Sequence, residues 1–254
     1  MKIDIKSKAQ IDRMREACRL TAEVRDLAAA AVVPGATTGD IDDVVRSFCL
    51  KNRVAASFLG YCGFPGALCV SINDEIIHGI PSKSRMIVPG DVVKVDVGIC
   101  KNGYNGDTAR TVLVGVTDKR IIDLADTTRR CLAAGIAACG PGVHLGDVGA
   151  AIQAVAEEKG YGVVRDYIGH GVGRTIHEEP PVPNYGKPGK GTILRPGMTI
   201  AIEPMITLGT YKVNVLEDEW TVVTQDGSVA AHFEHTVAIT DDGCEILTVP
   251  ADYP

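Results

Sequence analysis

The sequence predicts an α+β fold of two related halves, each with two helices followed by strands. Three observations carry this expectation. The block Pro34-Gly35-Ala36-Thr37-Thr38-Gly39-Asp40 returns as Pro141-Gly142-Val143-His144-Leu145-Gly146-Asp147, and Pro89-Gly90 returns as Pro196-Gly197, all at one spacing of 107 residues. One matched pair of turn blocks would be unremarkable, but two at the same offset favour duplication. Apolar residues near the start recur at helical spacing. Asn102-Gly103 lies between two β-rich runs, a strong hairpin signal because both residue types tolerate positive φ.

Taken in order, residues 8–32 read as a helix. Ala9, Ile11, Met14, Ala17, Cys18, Thr21, Val24 and Ala28 form one stripe, and Pro34-Gly35 stops it. A second helix is expected over 40–52, opened by Asp40. Residues 92–114 form the hairpin around Asn102-Gly103. Helices follow at 118–139 and 146–159. Strands are expected through 162–178, 198–208, 212–216, 219–224 and 229–240, the last two joined by a hairpin turn at Asp226-Gly227. No low-complexity linker interrupts the chain, which reads as one compact unit.

Composition excludes several classes. The 254 residues carry 26 Lys+Arg against 32 Asp+Glu, a net charge of −6, with 45% hydrophobic residues. That balance excludes disorder and argues against a nucleic-acid partner, since no Lys/Arg cluster supplies an electrostatic footprint. The longest apolar run, Leu27 to Val33, is far short of the roughly 20 residues of a membrane span. The charged N-terminal segment lacks the pattern of a signal peptide. None of the cysteines at 18, 49, 62, 69, 100, 131, 139 and 244 forms a C-x-x-C pair, so they read as reduced thiols of a cytoplasmic protein.

The hairpin register supplies the first chemistry. A two-residue loop pairs Lys101 with Tyr104 and places Asp107 opposite Gly98. Asp96 then shares the face of Gly98 and lies diagonal to Asp107, within roughly 7–8 Å at the backbone. Asp96 also interrupts the apolar run Val92 to Val97, where a lone charge is costly. His170 stands in Gly169-His170-Gly171-Val172-Gly173, whose glycines permit close backbone approach. The glycine spacing is not that of a dinucleotide loop, and His177-Glu178-Glu179 is not an H-E-x-x-H zinc helix. Glu203 ends the apolar strand before Pro204, which stops the ladder. Glu234 follows His232-Phe233. The spacing of 107 also carries Asp96 onto Glu203, suggesting a site between the halves. Two Asp, one His and two Glu make an oxygen-rich set suited to Mn²⁺, Fe²⁺, Co²⁺ or Zn²⁺. Four carboxylates balance two divalent cations, and such a pair lowers the pKa of a bridging water to give hydroxide for attack on a carbonyl.

Over essentially its whole length the chain resembles the type I methionine aminopeptidases of pita-bread (creatinase/aminopeptidase) fold. The most specific segment runs from Tyr167 through Gly169-His170-Gly171 and His177 to Tyr185. Further matches are Gly60-Tyr61-Cys62-Gly63-Phe64-Pro65, Ser71 to Pro81 with His78, Val95-Asp96-Val97-Gly98, Asn105 to Arg110 with Asp107, Ile202-Glu203-Pro204 and Phe233-Glu234-His235-Thr236. The resemblance implies a central antiparallel sheet covered by helices, in a single catalytic domain, residues 1–254, with pseudo-repeats over about 10–115 and 117–240. It implies metal ligands Asp96, Asp107, His170, Glu203 and Glu234, with Asp107 and Glu234 bridging two ions. It gives Glu203 the proton of the attacking water, His177 the developing oxyanion, and His78 the scissile amide or its leaving amine. Tyr61, Phe64, Cys69 and Trp220 are implied to line the methionine pocket; from the residues alone, Trp220 reads as core.

The sequence departs from the family pattern at Cys62, where many relatives carry His, and at Phe64, where some carry Tyr. It departs also at Phe58, expected to narrow the pocket and shift substrate or inhibitor preference if it points inward. His144, His232 and His235 receive no catalytic role, with His235 the expected support to the ligands. The implied activity is removal of the initiator methionine before a small second residue. The implied partners are N-terminal Met peptides and nascent chains near the ribosome, with no DNA or membrane partner, for a monomeric, short bacterial form. Two alternatives are an X-Pro aminopeptidase or prolidase of the same fold, and a metal-free binding module. The first usually carries an additional N-terminal domain; the second loses ligands that this chain keeps.

Overall fold

The computed structural model describes residues 2–250. The first half opens with α1 (Lys8–Ala30), which buries Met14, Ala17, Cys18, Thr21, Val24 and Ala28 of the predicted stripe, while Ala9 is exposed and Ile11 half-buried. Helix α2 (Thr38–Asn52) begins earlier than expected: Thr37 is its cap and Asp40 the third helical residue. The Thr37 hydroxyl accepts from the Asp40 N–H at 3.1 Å and the Asp40 carboxylate accepts from the Thr37 N–H at 2.7 Å, a reciprocal capping box. Three short strands, β1 (Ala55–Ala56), β2 (Cys69–Ile72) and β3 (Glu75–Ile77), then appear where the sequence suggested none. They are too short, among too many turn residues, to show a period.

The long hairpin forms as read. β4 (Val92–Lys101) and β5 (Tyr104–Leu113) pair from Val92↔Leu113 to Lys101↔Tyr104, with Gly98 opposite Asp107. Both turn residues have positive φ, 53° at Asn102 and 76° at Gly103. β1 and β2 share the other edge of β4, so Asp96 sits opposite Cys69 on one side and Ala109 on the other. Helices α1 and α2 bury Leu20, Val24, Ile41, Val45 and Phe48 with Val93, Val95, Val97 and Ile99 of β4 in one core.

The second half repeats this plan with α3 (Lys119–Ala137) and α4 (Leu145–Glu158). Its loops reuse the bonds of the first half at the same spacing. Gly35 N–H donates to Ile87 O and Gly142 N–H to Leu194 O, each at 2.9 Å, and both glycines have φ near +90°. Bridges Thr37↔Met86 and His144↔Ile193 correspond likewise, and His144 N–H donates to Asp147 as Thr37 does to Asp40.

The later strands are more broken than expected. Residues 162–178 hold only β6 (Gly162–Val163) and β7 (Gly169–Gly171) before β8 (Glu178–Val182). The expected strand 198–208 divides into β9 (Thr199–Ile202) and β10 (Met205–Thr207). β11 (Val213–Val215) and β12 (Val222–Thr224) follow. The expected strand 229–240 divides into β13 (Ala230–His232) and β14 (His235–Ile239), and β15 (Cys244–Ile246) was not foreseen. The two divisions coincide. β9 and β14 pair in the sheet ordered β15-β14-β9-β7-β8, whereas β10 and β13 pair in another, ordered β13-β10-β6. Since Ile202 pairs with His235 and Met205 with His232, the chain changes sheets at Glu203 and Glu234, which face each other across the break. The turn at Asp226-Gly227 forms, with Gly227 at φ 71°, but β12 and β13 enter different sheets, so it closes no hairpin. The two larger sheets meet through Thr236 of β14, whose hydroxyl accepts from Asp107 N–H at 3.0 Å and donates to Asp107 O at 2.8 Å.

Candidate metal centre and substrate cavity

Three strands and the change of sheet deliver the candidate ligands. Asp96 comes from β4, Asp107 from β5 and His170 from the middle of β7; Glu203 and Glu234 come from the sheet change. The motif glycines let β7 approach its neighbours: a Cβ at Gly169 would lie 2.3 Å from Ala201 O, and one at Gly171 would lie 2.3 Å from Glu179 O. His170 Nε2 lies 3.7 Å from Asp107 Oδ2 and 3.5 Å from Glu203 Oε1. Ligand atoms of Asp107, His170 and Glu234 all fall within 4.8 Å of one another. The backbone around them is fixed: Thr108 Oγ1 donates to Glu234 O at 2.7 Å, Glu234 N–H to Ala109 O at 3.0 Å, and Asn184 Nδ2 to Glu203 O at 3.0 Å.

All four carboxylates are buried. Burial raises the pKa of Asp96 to about 7. It pushes Asp107, Glu203 and Glu234 well up, and neighbouring carboxylates add to the rise. Asp96 Oδ1, Asp107 Oδ1 and Glu234 Oε1 have no hydrogen-bond partner. Buried charge of one sign, without donors, is unstable unless cations supply the missing partners. His170 completes the set. Burial holds its pKa down at about 3, so the ring is neutral. Its Nδ1 lies 2.9 Å from Gly171 O; a carbonyl only accepts, so Nδ1 carries the proton and Nε2 offers its lone pair to the cluster. The donor set therefore fits divalent cations that accept oxygen and imidazole ligands.

A cavity of about 360 Å³ opens onto these ligands and contacts all five. Tyr61, Phe64, Cys69, His78, His177 and Trp220, each named from the sequence, line it too. Trp220 is thus a wall residue rather than ordinary core, edge-on to Phe64 at 5.1 Å. Phe58 also lines the cavity and is buried against Phe64, Cys69 and Ile176. His177 Nδ1 lies 2.9 Å from the Tyr61 hydroxyl, and its ring centre 4.1 Å from that of His170. His78 stands edge-on to Tyr167 at 5.8 Å, in left-handed backbone at φ 60°. Burial, with His177 nearby, lowers the His78 pKa to about 4.

Some expectations need correction. His235 turns from the cluster and bonds Thr248 Oγ1 at 2.8 Å. His232 takes its place: it is buried, with Nε2 3.7 Å from Glu203 Oε2 and neither ring nitrogen hydrogen-bonded. Cys62 is exposed in a left-handed turn and is not among the cavity residues. His144 caps α4. Reading the residues also missed Ile77, Tyr167 and Pro181 as wall residues. Tyr167 carried one signal, its place three residues before His170.

Comparison with known proteins gives one consistent result. The description "Metallopeptidase family M24" matches residues 12–241. A methionine aminopeptidase of Clostridium acetobutylicum is 48% identical over 247 residues, covering 97% of this chain and 99% of its own. Methionine aminopeptidase 1 of Bacillus subtilis is 44% identical, covering 96% and 98%. The crystal structure of a methionine aminopeptidase from Thermotoga maritima superposes with a TM-score of 0.95 at 47% identity, covering 97% and 99%. The prolidase of Pyrococcus horikoshii shares the fold, with a TM-score of 0.78 at 24% identity, this chain covering 63% of it.

Proposed function

The chain belongs to metallopeptidase family M24 and has its pita-bread fold, and on that premise we propose that it removes the N-terminal methionine from peptides and nascent proteins. The observation that carries the reading is a single cavity in which an aromatic and sulfur-lined wall meets the buried carboxylates. Phe64, Trp220 and Cys69 offer the polarisable contacts a thioether prefers. On the same reading Asp96, Asp107, His170, Glu203 and Glu234 would hold two divalent ions, Co²⁺, Mn²⁺, Fe²⁺ or Zn²⁺. When bound, the ions supply Lewis acidity to the substrate carbonyl and to water.

The chain's own residues do the rest. Glu203, held by Asn184 through its carbonyl, takes the proton of the attacking water. His177 is kept neutral by burial. With Tyr61 donating to Nδ1, its Nε2 carries a proton and donates to the carbonyl oxygen as charge develops, an interaction worth about 2.7–4 kcal/mol when well aimed. His78 contacts the scissile amide and its leaving amine. The walls orient the methionine side chain and exclude water from it.

Residues 1–254 are then one catalytic domain of two related halves, an assignment supported by the loop bonds that recur at a spacing of 107 residues. Among the described residues no helix is long and apolar enough to cross a membrane, and all eight cysteines are free. We place the protein in the cytoplasm as a monomer, acting on nascent chains near the ribosome with a preference for a small second residue. The test is a peptide panel with metal-loaded protein: Met-Ala-Ser, Met-Lys-Ser, Leu-Ala-Ser and Ala-Pro. Release of methionine from Met-Ala-Ser well above the other three supports the reading; faster turnover of Ala-Pro would favour a prolidase, and no turnover a binding module.

A further inference from the structure

We propose that the segment before α1 is a strap, and that Lys6 within it positions His177 for catalysis through Glu178; this rests on the activity proposed above. His177 sits on a stretch, residues 173–177, that is neither helix nor strand. Such a stretch needs outside ties to hold a side chain in place. Asn105 holds its start, donating from Nδ2 to Gly173 O at 3.0 Å and to Arg174 O at 3.1 Å, and Tyr61 bonds the His177 ring. A further tie begins at Lys6, whose side chain is 1% exposed and whose Nζ lies 2.5 Å from Glu178 Oε2. Glu178 Oε1 accepts from Thr175 N–H at 3.2 Å, and Thr175 Oγ1 donates to His177 O at 2.9 Å. The connection therefore runs Lys6, Glu178, Thr175, His177.

Two glycines make room for the strap. A Cβ at Gly173 would meet both Glu178 carboxylate oxygens at 2.6 and 2.7 Å and Lys6 Cε at 2.7 Å. That accounts for the third glycine of the motif, which the carboxylate cluster leaves unexplained. A Cβ at Gly197 would lie 2.7 Å from Lys6 O and 2.7 Å from Ile5 Cγ2, and Lys6 N–H donates to Gly197 O at 2.8 Å. Asp4 flanks the ammonium, with Oδ2 at 3.8 Å. A buried ion pair adds little net stability over packed apolar residues, but it fixes geometry. Here the geometry fixed is that of a loop bearing a residue that touches substrate.

The test compares metal-loaded parent, Lys6→Met, Gly173→Ala and the double variant Lys6→Met/Glu178→Gln on Met-Ala-Ser, with the His177 ring signal followed by NMR. Lys6→Met and Gly173→Ala are expected to lower kcat about 10- to 100-fold with KM within about twofold, the pattern of an interaction made in the transition state. Both should shift the His177 ring signal. The double variant no longer buries a lone carboxylate, so its Tm recovers while its kcat stays low. The proposal is overturned if folded Lys6→Met keeps kcat within about twofold of parent, or if kcat recovers together with Tm in the double variant. Should Lys6→Met fail to fold, Gly173→Ala decides by the same criteria. A parent that releases no methionine would defeat the proposed activity instead; an unmoved His177 signal in Lys6→Met would then still defeat the strap.

Discussion

Asp96, Asp107 and Glu234 each hold a buried carboxylate oxygen that no group among the described residues satisfies, and this has a consequence for the metal-free protein. A carboxyl whose pKa is raised on folding binds its proton more tightly in the folded state, so stability falls as pH climbs between the two values. The buried histidines oppose this: His78, held at about 4, and His170 and His232, each at about 3, add stability as pH rises toward their unfolded value near 6.5. Above about pH 6.5 the histidines are neutral in both states, and the four carboxyls, Asp96 raised to about 7 and Asp107, Glu203 and Glu234 pushed well up, outnumber Lys94, which burial lowers to about 7 and which alone opposes the loss there. The metal-free protein should lose stability between about pH 6.5 and 8, and saturating Mn²⁺ should flatten that loss. Urea midpoints across the range measure it; a metal-free midpoint that holds level or rises would contradict the assignment. Phe58 bears on specificity. It projects into the cavity, so Phe58→Cys should lower kcat/KM for Met-Ala-Ser relative to a peptide with a bulkier first residue; an unchanged ratio would show that Phe58 sets no boundary. The candidate ligands that the structure brings together were legible in the sequence because a carboxylate in an apolar strand is costly without a reason. Trp220 and His232 were not, because a lone aromatic or histidine near apolar residues carries no such signature.

Gly106 shows how closely the elements around the site are packed. It lies on β5 beside Asp107, where α1 crosses. A Cβ there would stand 2.7 Å from Cys18 Cα, 2.7 Å from Thr21 Oγ1 and 2.9 Å from Cys18 Sγ. Backbone cannot yield as a flexible side chain can, so Gly106→Ala forces α1 off the strand. The expected loss is about 1–3 kcal/mol of stability, with weaker metal binding because Asp107 moves too. Denaturant unfolding and calorimetric metal titration check both, and a parent-like midpoint would show that the contact is softer than its geometry. At this scale the sequence was informative where local chemistry decides. Asn102-Gly103 specified its hairpin and register, since both residues accept positive φ. The strands around Glu203 and Glu234 looked continuous, because hydrophobic alternation continues across a change of sheet. Only tertiary pairing shows that β9 and β10, or β13 and β14, belong to different sheets. The turn at Asp226-Gly227 misled for the same reason: a local turn does not dictate which strands it joins.

The whole molecule places a carboxylate-lined centre where strands of both halves converge. The halves were visible in the sequence as repeated turn blocks, because such blocks cap helices and reverse the chain in fixed geometry. Their mutual placement was not, since it depends on long-range bonds such as those of Thr236 to Asp107. Candidate ligands from β4, β5, β7 and the sheet changes converge there, and on the proposed reading they form one metal-dependent centre from residues far apart in the chain. The measurement that tests this most directly is a titration of EDTA-treated protein with Mn²⁺, in which bound metal and methionine released from Met-Ala-Ser are followed together for parent and Asp107→Ala. Release that rises with bound metal in the parent, and is lost with the metal in Asp107→Ala, is the predicted result. Undiminished release from metal-free parent, or from Asp107→Ala, would contradict it.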